Sequence, residues 1–278
     1  MKLWKTGAAA AVLSAVWSGA AVAGCGAAAG VCEAADGAYH IALPTAVKDP
    51  APVVMFLHGY GGSGAQVLRN TALIEGLTGR GYAVIAPEGR SRGGTGPQSW
   101  GFGPFTEGRD EGAFFAAVLA DAADRFGTSS AQTVLAGFSA GAFMVHYLAC
   151  SDPAAFAAYA PVSGAFWRPQ PETCKGPVRL LQVHGWRDGV VPLEGRILGG
   201  GRWEQGDVFA GLEVWREANG CTSHAPTTAL RKDGLLRRRW DCGPGARIDL
   251  VLFDGGHTLP KGWAGLMADW FEDEPVVR

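Results

Sequence analysis

The chain has 278 residues, of which 47% are hydrophobic and 18% are charged, and its formal net charge is −2. This length suits one sizeable domain, and the apolar content excludes an intrinsically disordered chain. Because no long basic or acidic block is present, neither a nucleic acid nor a charged membrane surface is expected as a partner.

Residues 1–23 have the pattern of a secretory signal peptide. Lys2 and Lys5 give a positive start, an Ala-rich apolar run covers residues 7–20, and small residues at 21 and 23 flank a cleavage site. The run is short and weakly apolar beside the ~20 residues that a membrane span needs, so stable membrane insertion is not expected. We therefore predict a secreted or periplasmic mature domain at residues 24–278. A lipoprotein anchored at Cys25 is the alternative, because residues 22–25 also resemble a lipidation box.

After the leader, strands alternate with helices along the chain. Continuous apolar runs and short alternating segments predict strands at residues 38–43, 53–57, 82–86, 132–136, 159–162, 178–183 and 247–253. Helical spacing predicts helices at residues 66–78, 109–126, 142–150, 207–219 and 261–271. Residues 87–108 are rich in Gly, Ser and Pro and form a long loop. The alternation predicts an α/β fold with a mainly parallel sheet and helices on both faces.

The cysteine count favours three disulfides. Six cysteines follow the leader, and they are Cys25, Cys32, Cys150, Cys174, Cys221 and Cys242. An even number in an oxidising compartment favours full pairing, whereas lipidation of Cys25 would leave an odd number. Of the fifteen pairings that six cysteines allow, we expect each cysteine to pair with its neighbour in the sequence. No Cys-x-x-Cys pair occurs, so a metal site is not expected.

The strongest chemical signal is a G-x-S-x-G pentapeptide at residues 137–141, between a buried strand and a helix. This pattern is typical of a sharp strand-to-helix turn that exposes a serine hydroxyl, and the glycines keep Cβ atoms out of the crowded turn. The sequence therefore predicts Ser139 as a nucleophile.

A serine hydroxyl needs a base, and His257 follows the last strand on a glycine loop. In proteins with this turn, the acid lies between serine and histidine in the chain, and Asp188 follows a strand there. Asp207 and Asp254 are rival acids, the first with the pattern of a helix N-cap and the second close to His257 in the chain. Among the other histidines, His184 ends a strand and can fasten the Asp188 loop by a hydrogen bond, and His146 has the pattern of a packed helix residue.

Residues 58–61 have an H-G-x-G pattern after a buried strand, which is typical of a loop that supplies an oxyanion-hole amide. We expect the main-chain N–H groups of Tyr60 and Ala140 to form this hole. Tryptophans in nearby loops are candidates for substrate contacts, and Trp100 and Trp186 are the two that we select.

Taken together, these motifs resemble the secreted α/β-hydrolase esterase family of polyhydroxybutyrate depolymerases and feruloyl esterases. The resemblance covers nearly the whole mature chain and rests on residues 25–32, 58–62, 109–111, 137–141, 184–192, 219–221 and 255–258. It implies hydrolysis of carboxylic esters by a Ser139–Asp188–His257 triad, without a cofactor. Leu259 and Ala140 stand where similar proteins often carry Trp and Asn, so the acyl pocket is where this chain departs from the family.

The expected substrate is a small or polymeric ester, and the expected enzyme is a monomeric serine hydrolase without a metal. Two other functions remain open at this point. One is a serine peptidase on the same fold, because a triad also cleaves amides. The other is a non-catalytic binding module, against which the intact triad residues argue.

Overall fold

The computed structural model describes Met1 and residues 25–26, 30–45, 50–106, 108–232 and 234–272. Apart from Met1, the predicted signal peptide and its cleavage site lie outside the described residues.

The described strands are β1 (Cys32–Ala34), β2 (Gly37–Ala42), β3 (Ala51–Leu57), β4 (Ala83–Pro87), β5 (Arg90–Ser91), β6 (Gln98–Ser99), β7 (Thr128–Phe138), β8 (Ala158–Val162), β9 (Arg179–Gly185), β10 (Arg196–Leu198), β11 (Trp203–Gln205), β12 (Thr228–Lys232), β13 (Leu235–Asp241) and β14 (Arg247–Phe253). The described α-helices are α1 (Gly64–Leu68), α2 (Thr71–Thr78), α3 (Glu111–Phe126), α4 (Ala140–Ser151), α5 (Val208–Ala218) and α6 (Trp263–Glu272).

A ten-stranded sheet organises the molecule, in the order β1-β2-β4-β3-β7-β8-β9-β14-β13-β12. The six central strands, from β4 to β14 in that order, are mutually parallel. The two outer strands on each side pair antiparallel. This arrangement confirms the prediction of an α/β-hydrolase type of fold with a mainly parallel sheet.

Apolar layers cover both faces of the sheet. Alternate residues of β3 point to opposite faces, so that Val53 and Met55 join one layer and Val54 and Phe56 the other. The first layer packs against α3, α4 and α5, and the second packs against α1, α2 and α6. A strand buried on both faces reads as a continuous apolar run, which is why the sequence located the central strands.

The structure differs from the sequence prediction where local polar contacts decide the outcome. The helix predicted at residues 66–78 is two helices, because the Asn70 side chain accepts a hydrogen bond from the Leu73 N–H and begins α2 afresh. The hairpin of β12 and β13 was not predicted, because every residue of β12 is exposed and β13 contains three consecutive arginines. Neither segment has the clear alternation of apolar and polar residues that predicts a strand.

The three disulfides join Cys25 to Cys32, Cys150 to Cys174 and Cys221 to Cys242. The predicted pairing of sequence neighbours is therefore confirmed. The second bond ties the end of α4 to the segment before β9, and the third ties the segment after α5 to the residue that follows β13.

We predict that the Cys150–Cys174 bond stabilises the fold more than the Cys25–Cys32 bond does. The two bonds span 24 and 7 residues, and a cross-link over a longer loop removes more entropy from the unfolded chain. Replacing both cysteines of the longer loop by serine should lower the free energy of unfolding by about 3 kcal/mol, against about 2 kcal/mol for the shorter loop. Denaturant titration of the two double variants measures both values, and a larger loss for the shorter loop would contradict the prediction.

Candidate active site

Ser139 occupies a strained turn between β7 and α4. Its backbone has φ 55° and ψ −116°, which is uncommon for a residue with a side chain, and its N–H donates to the Val162 carbonyl at 3.0 Å. Two glycines make the turn possible. A Cβ on Gly137 would lie 2.6 Å from the Gly141 carbonyl carbon, and a Cβ on Gly141 would lie 2.3 Å from the Leu57 carbonyl oxygen. The turn therefore needs glycine at both positions.

His257 lies within hydrogen-bonding distance of both Ser139 and Asp188. Its Nε2 atom is 2.9 Å from Ser139 Oγ, and its Nδ1 atom is 2.8 Å from Asp188 Oδ2. The three side chains come from the segments that follow β7, β9 and β14, because parallel strands present their carboxyl ends at one edge of the sheet. The Phe138 ring packs beside the imidazole, with centroids 4.7 Å apart. The structure thus brings together the three residues that the sequence selected from distant positions.

The Asp188 carboxylate is buried but well supplied with donors. Its Oδ1 atom accepts hydrogen bonds from the N–H groups of Val190 and Val191, at 2.9 and 2.8 Å. Burial opposes ionisation of this carboxyl, but the hydrogen bonds from Val191 and His257 outweigh burial and hold the pKa of Asp188 below its usual value. A negative charge therefore faces the Nδ1 side of His257.

The rival acids lie elsewhere. Asp207 begins α5, where its side chain accepts from the Ala210 N–H at 2.9 Å. Asp254 forms an exposed ion pair with Arg187, at 3.0 Å. Neither carboxylate is the partner of His257 in the structure.

The H-G-x-G loop runs directly beside the nucleophile. A Cβ on Gly59 would lie 3.3 Å from the Ser139 Cβ, so the loop and the serine are in contact. His58 braces this loop: its Nε2 atom accepts from the Gly89 N–H at 3.0 Å, which leaves the ring proton on Nδ1 to donate to the Gly59 carbonyl. Burial lowers the pKa of His58, which keeps the ring neutral.

The two predicted oxyanion donors belong to segments that adjoin Ser139. Tyr60 belongs to the braced loop, and Ala140 is the first residue of α4. The first N–H groups of a helix have no partner within the helix and lie at its positive end. The arrangement is suited to binding a negatively charged oxygen next to the serine.

Trp100 has a different place from the one predicted. It is only 2% exposed, and its indole N–H donates to the His58 carbonyl at 2.8 Å. The ring also packs against Phe115 of α3, with centroids 5.6 Å apart, so it supports the loop and is too buried to lie at the mouth of the cleft. Trp186 is 47% exposed, two residues before Asp188, so it remains a candidate for substrate contact.

A cleft of about 460 Å³ opens beside His257. Its apolar lining includes Phe56, Leu73 and Phe138, and polar side chains of Gln66 and Asn70 also line it. Neither polar residue belongs to a motif in the sequence. Their only signal was a position shortly after the glycine loop.

Among the described residues, no group of three His, Cys, Asp or Glu side chains could hold a metal ion. Within the same part of the chain, no helix is both long enough and apolar enough to cross a membrane.

Comparisons with known proteins find a hydrolase family and esterases among the similar sequences. A family model described as X-Pro dipeptidyl-peptidase (S15 family) matches residues 38–194, more than half of the chain. Feruloyl esterase C of Emericella nidulans is 26% identical over 241 residues, which cover 83% of this chain and 80% of that protein. Putative esterase NocK of Nocardia uniformis subsp. tsuyamanensis is 29% identical over 156 residues, which cover 54% of this chain and 44% of that protein.

The solved acetyl xylan esterase from Aspergillus awamori superposes with a TM-score of 0.63 at 15% identity, covering 85% of this chain and 94% of that one. At this identity the likeness shows the shared fold. Together with the two relatives, it confirms the predicted resemblance to esterases of the α/β-hydrolase type.

We predict that Gly141→Ala disrupts the serine turn. The added methyl would meet the Leu57 carbonyl, which belongs to the central strand β3 and cannot move aside cheaply. The free energy of unfolding should fall by about 2 kcal/mol, and hydrolysis of an activated ester should fall with it. Gly112→Ala is the matched control, because a Cβ there makes only ordinary contacts of 3.4 Å or more, and its stability should stay within about 0.5 kcal/mol of the wild type. Equal stability of the two variants would contradict the steric argument.

Proposed function

The chain belongs to the X-Pro dipeptidyl-peptidase (S15) family, and we propose that within it the protein acts as a serine hydrolase on carboxylic esters. One observation carries the proposal: Ser139 Oγ, His257 and the Asp188 carboxylate form a continuous hydrogen-bonded series, with distances of 2.9 and 2.8 Å. The relatives named feruloyl esterase C and esterase NocK support ester cleavage as the reaction.

The first step is attack on the ester carbonyl. Ser139 Oγ bonds to the carbonyl carbon while His257 Nε2 accepts the hydroxyl proton. The Asp188 carboxylate accepts from Nδ1, so it holds the ring in the required tautomer and stabilises the imidazolium that forms. The low pKa of Asp188 supports this role, because the carboxylate keeps its negative charge.

The negative charge of the tetrahedral intermediate develops on the former carbonyl oxygen. The N–H groups of Tyr60 and Ala140 stabilise this oxygen, and the amino end of α4 adds its dipole. Preorganised donors of this kind cost no rearrangement during the reaction, and the braced position of the 58–62 loop supports that role.

Collapse of the intermediate expels the alcohol and leaves an acyl group on Ser139. The imidazolium gives its proton to the departing alcohol oxygen. A water molecule then attacks the acyl-enzyme with His257 again as the base, and the carboxylic acid leaves as His257 returns the proton to Ser139 Oγ. Serine, histidine and water complete the cycle, so the steps need no cofactor.

The cleft beside His257 supports an ester with an apolar or aromatic acyl part. Its volume of about 460 Å³ and the rings of Phe56 and Phe138 suit a flat group, and the exposed Trp186 ring suits either a phenolic group or a polymer chain. Hydroxycinnamate esters and polyhydroxybutyrate are therefore the two substrate classes that we propose to compare.

A serine peptidase is the second candidate function. The S15 model spans residues 38–194, which include Ser139 and Asp188, and its description names a peptidase. The same triad could cleave an amide, with His257 protonating the leaving amine. A non-catalytic binding module would not require the series of hydrogen bonds at Ser139.

We propose that the protein works outside the cytoplasm, as one catalytic domain at residues 24–278. Three disulfides support an oxidising compartment. The bond between Cys25 and Cys32 argues against a lipoprotein, because the Cys25 sulfur cannot carry a lipid and a disulfide at once.

We predict that Ser139→Ala lowers kcat on a p-nitrophenyl ester by about 10⁴-fold or more, while the fold is retained. The hydroxyl is the attacking atom, and no other group replaces it. Ser151→Ala, at the opposite end of α4, is the matched control and should leave kcat unchanged. A fluorophosphonate probe should label the wild type at Ser139, and turnover by Ser139→Ala close to the wild-type value would refute the assignment.

A substrate panel separates the two enzymatic functions. We expect kcat/KM on hydroxycinnamate, acetyl or hydroxybutyrate esters to exceed that on Xaa-Pro anilides by at least about tenfold. A preference for the anilides would instead identify a peptidase. Comparison of the three esters then measures which acyl group the cleft accepts.

A further inference from the structure

A row of buried polar side chains leads from α5 to the loop that carries Asp188. We call this set the buried row, and its members are Trp215, His146, Gln182 and His184. All four are at most 3% exposed. Buried polar groups cost free energy unless each is hydrogen-bonded, so the direction of every bond in the row matters.

Trp215 fixes the direction of the first hydrogen bond in the row. The Trp215 indole N–H can only donate, and it lies 3.0 Å from His146 Nδ1. Burial lowers the pKa of His146 to about 4, so the ring is neutral near pH 7. A neutral ring whose Nδ1 accepts must carry its proton on Nε2, which lies 2.7 Å from Gln182 Oε1.

The hydrogen bond from His146 also fixes the orientation of the Gln182 amide. Because its oxygen accepts from His146, its amide nitrogen faces the Gly164 carbonyl at 3.0 Å and His184 Nδ1 at 3.3 Å. His184 Nδ1 is then an acceptor. Burial lowers the pKa of His184, so this ring is also neutral, and its single proton lies on Nε2. That proton is donated to the Val191 carbonyl at 2.7 Å.

The end of the row meets the acid of the site. Val191 donates its own N–H to Asp188 Oδ1 at 2.8 Å. His184 Nε2 is also 3.6 Å from Asp188 Oδ2, the oxygen that accepts from His257 Nδ1 at 2.8 Å. A His184 ring released from Val191 would therefore compete with His257 for the same oxygen.

We propose that His146, Gln182 and His184 are positioning residues, which direct the His184 Nε2–H at the Val191 carbonyl and so reserve Asp188 Oδ2 for His257. The inference rests on the proposed function, since it concerns the acid of the proposed triad. Trp215 fixes the direction at the far end of the row, because its N–H can only donate, and the Gly164 and Val191 carbonyls fix it further along, because they can only accept.

The variant Trp215→Phe tests the row at its far end. The phenyl ring keeps most of the packing but removes the N–H, so the His146 proton can move to Nδ1 and the Gln182 amide can reverse, with loss of its bond to the Gly164 carbonyl. The Gln182 oxygen would then face His184 Nδ1, which would take the proton and leave a lone pair of Nε2 against the Val191 carbonyl. We expect kcat on the p-nitrophenyl ester to fall about tenfold, with KM within about twofold of the wild type.

Trp270→Phe is the matched control. Trp270 is also fully buried, and its N–H donates to Asp249 Oδ2 at 2.9 Å on the opposite face of the sheet. This variant should lose stability but keep its kcat within about twofold. If both variants retain kcat equally, or both lose it equally at the same folded fraction, the proposal is wrong.

Nuclear magnetic resonance measures the histidine tautomers of the buried row independently of catalytic activity. Two-bond ¹H–¹⁵N spectra of the imidazoles should identify the Nε2–H tautomer at both His146 and His184 in the wild type, and a gain of the Nδ1–H tautomer in Trp215→Phe. A wild-type His184 with its proton on Nδ1 would overturn the proposal. Failure of the proposed function is a different result, namely wild-type protein that neither hydrolyses the ester nor reacts with the fluorophosphonate probe.

Two substitutions at His184 test the positioning role if the Trp215→Phe variant does not fold. In His184→Gln, the new amide can accept from Gln182 and donate to Val191, so kcat should stay within about threefold of the wild type. His184→Leu keeps the bulk but loses both bonds, and its kcat should fall more than about tenfold with an unchanged KM. Similar kcat values for the two variants would refute a positioning role.

Discussion

The close approach of helix α4 to strand β3 is the constraint on which the candidate site depends. At Gly141 the helix lies so near the Leu57 carbonyl that a single methyl group would not fit. Because α4 must begin there, Ser139 is held at φ 55°, and its hydroxyl faces a histidine from the far end of the chain. The strain is offset by the Ser139 N–H bond to β8 and by the packing of α4 in the larger apolar layer. The fold thus sets the geometry before any substrate binds.

Three buried histidines near the site differ in charge state from the buried Asp188. His58, His146 and His184 are buried, and burial lowers the pKa of each, so they serve as neutral braces with one donor and one acceptor. Asp188 keeps its charge because local N–H groups bind it. His257 also lines the open cleft but contacts Ser139 and Asp188 directly, and the proposed mechanism requires its ring to gain and lose a proton.

Much of this arrangement was predictable because its signals are local or strongly apolar. Continuous apolar runs located the central strands, and the motif around Ser139 identified the turn. Chain order together with a position after a predicted strand selected Asp188 and His257. The hairpin of β12 and β13 escaped prediction because its stability comes from contacts across strands, such as Arg237 and Arg239 on the buried Asp249 of β14. The burial of Trp100 escaped for the same reason, since its partner His58 lies 42 residues away in the chain. Pairings of this kind leave no period in the sequence.

The outer strands of the sheet have a consequence for how copies of the protein meet. An edge strand exposes unpaired main-chain groups that could join the sheet of another molecule and begin aggregation. At one edge, β12 carries the exposed cations Arg231 and Lys232, so two such edges repel each other. At the other edge, β1 is only three residues long and is tethered by the Cys25–Cys32 bond. Both borders of the sheet therefore disfavour edge-to-edge self-association, so the folded chain can be concentrated without its sheets joining.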